Sequence, residues 1–287
     1  MPEPSPALAK RIAARLSRAK GFVLDLDGTM VLGDSRNKGL KPLPGALDFL
    51  AHLRERATPF VLFTNGTVRT PFAYVDELAH AGIKISVHEI MTPASVAAEV
   101  LSAKGYRRIL VLGGEGVSGP LADVGLEIVR PPEGDDIDAI FIGWFREFGM
   151  PDIEAACEAA WNGAPVFAAS LVPYFATAGG RTLGTSCAIA GAIQKITGVR
   201  AKALGKPAAE AMRVAAKRFG AAAKDLVVIG DDPDLEIPMA LKAGALAIGV
   251  TTGIAKHNHF AARPKPNRAD YIAENIGAVL ELWRGNA

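Results

Sequence analysis

The sequence predicts an α/β fold built on parallel sheets, and three observations carry that prediction. Short apolar runs rich in Val, Ile, Leu and Phe recur along the whole chain, each bounded by Gly or polar residues, as strands buried on both faces are. Alanine-rich segments with helical periodicity lie between them. Runs and segments alternate from one end to the other, the pattern of strand–helix–strand units. The strand candidates are residues 21–28, 59–66, 107–114, 138–144, 164–170, 225–232 and 244–250. The helical segments run from Pro93 to Ala103, Ile153 to Trp161, Ala188 to Thr197 and Ala208 to Phe219. No internal repeat and no low-complexity linker interrupts them, so composition marks no domain boundary.

Composition narrows the class. At 287 residues the chain has room for about two domains. With 49% apolar and 22% charged residues it reads as a globular protein rather than a disordered one, and its 30 Gly and 19 Pro follow no collagen period. Its 32 bases and 30 acids leave a net charge of +2, which gives no electrostatic case for nucleic acid or a membrane surface. No apolar stretch reaches the length of about 18 residues needed to span a bilayer. The first twenty residues carry bases at helical spacing without an apolar run, unlike a secretory signal. Cys157 and Cys187 fit no zinc or redox spacing and read as the reduced thiols of a cytoplasmic protein.

The chemistry collects where the runs end, which is where open parallel sheets bind ligands. The first run closes with Asp25-Leu26-Asp27-Gly28-Thr29. Acids at i and i+2 point to one side of an extended chain, and their repulsion is relieved by a divalent cation with oxygen ligands, such as Mg²⁺. Taken alone, this segment fits a turn as well as a metal site. The second run closes with Phe63-Thr64-Asn65-Gly66, a hydroxyl and backbone amides at a strand-to-helix turn that suits an anion. Gly205-Lys206-Pro207 opens a helix with a lysine in its first turn. A cation there opposes the helix dipole unless it faces an anion. Gly230-Asp231-Asp232 places further acids after a hydrophobic strand.

In this order, the segments DLDGT, FTNGT, GKP and GDD resemble the four motifs of the haloacid dehalogenase superfamily, from Gly21 to Tyr271. The resemblance implies a Rossmann-like, doubly wound parallel-sheet core and phosphatase chemistry through a phospho-aspartate. Asp25 then corresponds to the nucleophile, and Asp27 to the general acid that later activates water. Thr64 and the amide of Asn65 correspond to the phosphate-binding site, and Lys206 to its cation. Asp231 corresponds to a Mg²⁺ ligand beside Asp25 and the Asp27 carbonyl. An acid at position 27 favours phosphate esters over halides. Relatives often carry a second Asp five residues after the first, where this chain has Glu236, with Asp232 and Asp234 nearby.

The long interval between Thr64 and Lys206 resembles the α/β cap of the class IIA branch, which includes nitrophenyl and pyridoxal phosphatases. The expected domains are a core of residues 1–93 and 187–287 and a cap of residues 94–186. Within the cap, Gly143-Trp144-Phe145 stands where relatives often read G-x-D, and Ala168-Ala169-Ser170-Leu171-Val172 where they often read A-T-N-x-D. Arg146, Ser170 and Tyr174 are the cap's candidate substrate contacts. The expected partner is a small phosphorylated metabolite, and relatives often dimerise through the cap, which makes a homodimer an open expectation.

Two other function classes compete. Gly114, Gly116 and Gly119 form a formal GxGxxG after a strand, with Asp135 and Asp136 further on, as in an NAD-dependent oxidoreductase. That reading leaves the DxD, Lys206 and the GDD unexplained, and the glycines read better as a tight cap loop, with Pro120 able to begin a helix. A non-catalytic phosphate-ligand binding protein on the same fold is the third reading, opposed by the intact motifs. His257-Asn258-His259 reads as a polar surface loop rather than a metal site.

Overall fold

The strand Gly21–Asp25 is buried along its whole length and has a parallel neighbour on each side. Phe22 to Asp25 lie beside Phe60 to Phe63, and Gly21 to Leu24 beside Leu226 to Ile229. In the computed structural model these belong to a six-stranded sheet in the order 271–273, 246–250, 226–230, 21–25, 60–63, 90–91. A second, five-stranded parallel sheet has the order 202–203, 166–168, 139–142, 108–112, 127–129. Two antiparallel pairs, residues 31–32 with 41–42 and 174–177 with 180–183, complete the strands. The structure describes residues 5–33, 39–133, 136–177, 180–253 and 255–285. Among them no helix is long and apolar enough to cross a membrane, and Cys157 and Cys187 are free thiols.

The chain divides into two compact units. One comprises residues 1–64, 75–90 and 212–287, and the other residues 65–74 and 91–211.

The first unit closes one end of its sheet with an aromatic cluster. Trp283, on the helix Ile276–Gly285, is fully buried and stacks on Phe22 at 5.3 Å between ring centres. His52 meets its ring edge-on at 4.7 Å, and the indole N–H donates to the Ser17 hydroxyl at 3.0 Å. Burial holds the pKa of His52 below that of a free imidazole, with Arg284 and Arg56 acting in the same direction. The cluster thereby ties helix Pro6–Arg18, through Ser17, to the last helix and to the central strand.

The second unit buries an alanine-rich core. Ala155, Ala156, Ala159 and Ala160 on helix Met150–Trp161 pack with Ile140 and Ile142 of the sheet and with Ile189 and Ile193 of helix Thr185–Thr197. Small residues on that face let helix and sheet approach closely. Helix Pro93–Ala103 begins with a capping box between Thr92 and Ser95 and has Pro at its first position, both strong start signals.

Asp138 sets the register of this sheet. Its carboxylate accepts the main-chain N–H of Arg107 at 2.7 Å and of Arg108 at 2.9 Å, just before strands 108–112 and 139–142 pair. The N–H bonds from Arg108 and Arg107 lower its pKa. A lowered folded-state pKa stabilises above the unfolded value of about 3.9, and the benefit is lost as pH falls through the folded value. Asp138→Asn is therefore expected to lower the thermal unfolding midpoint at neutral pH. The gap to wild type should close as pH falls below about 4, as followed by circular dichroism.

Candidate functional site

In the first unit, three neighbouring parallel strands end in polar residues. Asp25 closes the central strand, Thr64 follows Phe63, and Asp231 follows Gly230. Adjacent strands lie about 4.8 Å apart, so the register of these strands gathers the three residues at one sheet edge. All three are almost fully buried, as is Thr29. The Thr29 hydroxyl donates to Asp25 Oδ2 at 2.8 Å, and the Thr64 hydroxyl donates to Asp27 Oδ2 at 2.9 Å. Thr29 is reached by a turn through Gly28, whose φ of +89° is a left-handed conformation that favours glycine.

Asp231 sits in a cradle of backbone. A Cβ on Gly28 would lie 2.6 Å from its Oδ2, and one on Gly253 only 1.9 Å away. The Thr252 hydroxyl donates to the Gly28 carbonyl at 2.5 Å, fastening the loop after strand 246–250 to the turn after strand 21–25. The remaining acids of this segment have separate duties. Asp232 Oδ1 accepts the Asp234 N–H at 2.7 Å, and Asp234 pairs with Arg263. Glu236 is buried against Gly230, and its Oε2 accepts the Asp232 N–H at 3.0 Å. One oxygen of Glu236 thus braces the turn that carries Asp231.

Among the described residues no three His, Cys, Asp or Glu side chains assemble into a metal-holding group. A site for Mg²⁺ needs fewer, since that ion keeps several waters and is held by one or two carboxylates together with phosphate oxygens. Two buried carboxylates at neighbouring strand ends, with no nitrogen or sulfur donor, fit that requirement.

Asn65 and Lys206 belong to the second unit. Lys206 is buried. Asn65 accepts the Lys206 N–H at 2.8 Å and donates to the Lys206 carbonyl at 3.1 Å. The expectation that Lys206 lies in the first turn of a helix is corrected here, because the helix begins at Ala209 and Lys206 precedes it in a turn. Its carbonyl accepts from the Asn65 side chain.

The cap candidates are placed apart in their local roles. Arg146 is exposed, and its N–H donates to the Glu147 carboxylate at 3.1 Å. Ser170 is half-buried and shapes a turn, accepting the Val172 N–H at 3.2 Å and receiving the Ser186 hydroxyl on its carbonyl at 2.7 Å. Tyr174 is exposed and stands opposite Leu183 in the hairpin.

The glycine fingerprint is a helix rather than a loop. Helix Glu115–Ala122 starts after Gly114 and contains Pro120 in its interior. A Cβ on Gly116 would meet the Thr67 carbonyl at 2.5 Å, and one on Gly113 would meet Val117 at 2.4 Å. Close packing explains Gly116 of the fingerprint without a dinucleotide, whereas Gly114 has open space around it. Of the two candidate ribose contacts, Asp135 lies outside the described residues, and Asp136 has a left-handed φ of +53°. His257 opens a short helix, His257–Ala261, in which His259 Nδ1 accepts the Lys256 N–H at 3.2 Å.

Thr252 and Gly253 escaped the sequence reading, and Thr29 and Thr67, the last residues of the motifs DLDGT and FTNGT, were given no role in it. Thr67 is buried, and its hydroxyl accepts the Trp144 N–H at 2.9 Å. Thr29 and Thr67 each follow a Gly after a strand end, a signal that could have found them. Thr252 and Gly253 follow a strand that ends without an acid, and nothing local marks them.

Comparisons with known proteins agree in kind. Residues 22–127 match the family model of haloacid dehalogenase-like hydrolases, and residues 203–279 match a second, HAD-hydrolase-like model. The chain is 26% identical to the 5′-nucleotidase YutF of Bacillus subtilis over 241 residues, 84% of this chain and 90% of that protein. The 4-nitrophenylphosphatase structure from Thermotoga maritima superposes with a TM-score of 0.82 at 25% identity, covering 93% of this chain and 98% of that one. The glycerol phosphate phosphatase of Mycobacterium tuberculosis, solved with magnesium, gives a TM-score of 0.80 at 28% identity, covering 93% and 77%.

The cradle makes a steric prediction. Gly253→Ala is expected to lower unfolding stability by more than about 1 kcal/mol, because its methyl must displace Asp231 or backbone. Gly114→Ala, with open space around it, should stay within about 0.5 kcal/mol of wild type. Denaturant titration of both variants checks the contrast.

Proposed function

The chain belongs to the haloacid dehalogenase-like hydrolases, in their class IIA branch, and is a phosphoric monoester hydrolase; from that premise we propose that it is a Mg²⁺-dependent phosphatase that forms a phospho-aspartate on Asp25. The observation that carries the proposal is the convergence, at one edge of the main sheet, of buried Asp25 and Asp231 with the Thr64 hydroxyl bonded to Asp27.

The proposed chemistry follows from those residues. An Asp25 oxygen attacks phosphorus, a bond to phosphorus forms, and the ester P–O bond breaks. Asp27 gives its proton to the departing alkoxide. In the second half Asp27 takes a proton from water, the water oxygen attacks the phospho-aspartate, and phosphate leaves with Asp25 restored. Splitting hydrolysis this way replaces one difficult displacement with two easier ones. Thr29 holds the carboxylate of Asp25 in one rotation, and Thr64 does the same for Asp27. Asp25, Asp231 and the Asp27 carbonyl would hold Mg²⁺, which supplies charge to the phosphate oxygens when bound. Lys206 and the Asn65 amide are the proposed phosphate-binding groups, with Glu236 supporting the Asp231 turn. The solved relative with magnesium, and the same protein with calcium, support a divalent ion.

Residues 94–186 are proposed as a cap that selects the leaving group, with Arg146, Ser170 and Tyr174 as its candidate contacts. The substrate is a small phosphorylated metabolite. The named activities of the relatives, on nucleotides, nitrophenyl phosphate and glycerol phosphate, define the panel to screen.

Phosphate release from that panel should require Mg²⁺ and stop with EDTA. Asp25→Asn should lower turnover by at least about a thousandfold, in keeping with the loss of a covalent nucleophile, without unfolding the chain. Asp27→Asn should retain inorganic phosphate binding and lose most of the rate. Unchanged turnover in Asp25→Asn would remove it as nucleophile.

A further inference from the structure

We propose that the side chain of Asn65 is a positioning residue for Lys206, resting on the reading of Lys206 as the phosphate-facing cation. The Asn65 amide uses both of its polar atoms on one residue. Its oxygen accepts the Lys206 N–H at 2.8 Å, and its nitrogen donates to the Lys206 carbonyl at 3.1 Å. Flipping the amide would set donor against donor and acceptor against acceptor, so the two bonds fix each other's sense. The main chain of Lys206 is held on both sides by a single planar group.

The surroundings are built around that clamp. Gly205 is packed so tightly that a Cβ would lie 2.6 Å from Asn65 Oδ1 and 2.4 Å from the Ala169 carbonyl. The Gly205 N–H donates to that same carbonyl at 3.0 Å, and the Leu204 N–H donates to the Ala168 carbonyl at 2.9 Å. The lysine turn therefore hangs from the end of strand Val166–Ala168 on one side and from Asn65 on the other. Pro207 follows, so the next peptide contributes no N–H of its own. A lysine side chain has four rotatable carbons and would otherwise wander. Fixing its peptide removes the backbone share of that freedom. The residue that does so is covalently next to Thr64, so the hydroxyl and the cation proposed for the phosphate share one anchor across 141 positions of chain.

The division of labour within Asn65 is then specific. Its main-chain amide is the proposed phosphate donor, and its side chain is a brace that touches neither substrate nor metal. A residue that acts only through Lys206 has a signature that a general structural role lacks. Once Lys206 is gone, removing Asn65 costs nothing further.

The experiment is a double-mutant cycle on p-nitrophenyl phosphate hydrolysis with Mg²⁺, using wild type, Asn65→Ala, Lys206→Ala and the double variant. Asn65→Ala is expected to lower kcat by at least about tenfold, since small misplacements of a catalytic group are costly. The double variant should fall within about twofold of Lys206→Ala. Gly205→Ala, which keeps both Asn65 and Lys206 but pushes the Asn65 side-chain amide aside, should reproduce Asn65→Ala. Hydrogen exchange gives a readout without turnover: the Lys206 N–H should lose protection in Asn65→Ala and Gly205→Ala. Multiplying losses in the double variant, or unchanged Lys206 protection in Asn65→Ala, would overturn the inference while leaving the phosphatase assignment standing. A wild-type protein that hydrolyses no phosphate ester sinks the proposed function and takes this inference with it.

Discussion

Two carboxylates, Asp25 and Asp231, are held nearly without solvent at the ends of adjacent parallel strands, and the surrounding backbone is arranged around their mutual repulsion. Like charges gathered in a poorly solvated place repel, and each needs partners close by. The Thr29 hydroxyl donates to Asp25, and the Gly28 and Gly253 backbone closes tightly on the Asp231 carboxylate. The proposed Mg²⁺ would be drawn to this crowding and would relieve it.

Glycine placement follows from this constraint. Gly28 turns the chain so that Thr29 can reach back to Asp25, and it leaves room for the Asp231 carboxylate. Gly230 leaves room for the Glu236 stem, whose carboxylate in turn accepts the Asp232 N–H. In the second unit Gly205 leaves room for the amide of Asn65. In each case the absent side chain makes space for a polar group that must be held still.

The legible part of the fold was its interior. Each of the seven apolar runs contains a strand, and those seven are the internal strands of the two parallel sheets. The four strands of the parallel sheets that escaped notice, 90–91, 127–129, 202–203 and 271–273, are those sheets' four edges, and the two short antiparallel pairs escaped as well. An edge strand has one neighbour, spans two or three residues here, and needs no long apolar run, so its signal falls below that of the loops around it. Helix starts with strong caps were read well, as at Pro93, whereas Gly114 to Gly119 was taken for a loop because glycine spacing outweighed the helical pattern. In the candidate site, the charged residues stand in recognisable motifs. Thr252 and Gly253 stand in none, since a hydroxyl bond to a distant carbonyl and a missing methyl leave no local pattern.

The order of the strands also has a consequence for biosynthesis. The central strand Gly21–Asp25 is followed soon by one neighbour, Phe60–Phe63, whereas the other begins only at Leu226. Between them the chain completes the whole second sheet, from Arg108 to Ala203. A nascent chain that has folded that sheet still lacks Asp231, the Gly253 cradle and Trp283. The second unit can therefore be finished on the ribosome while the first is a half-sheet with an open edge. Strand 21–25 therefore keeps one open side until strand 226–230 has been made, and a chaperone that shields that side has a target for the whole interval.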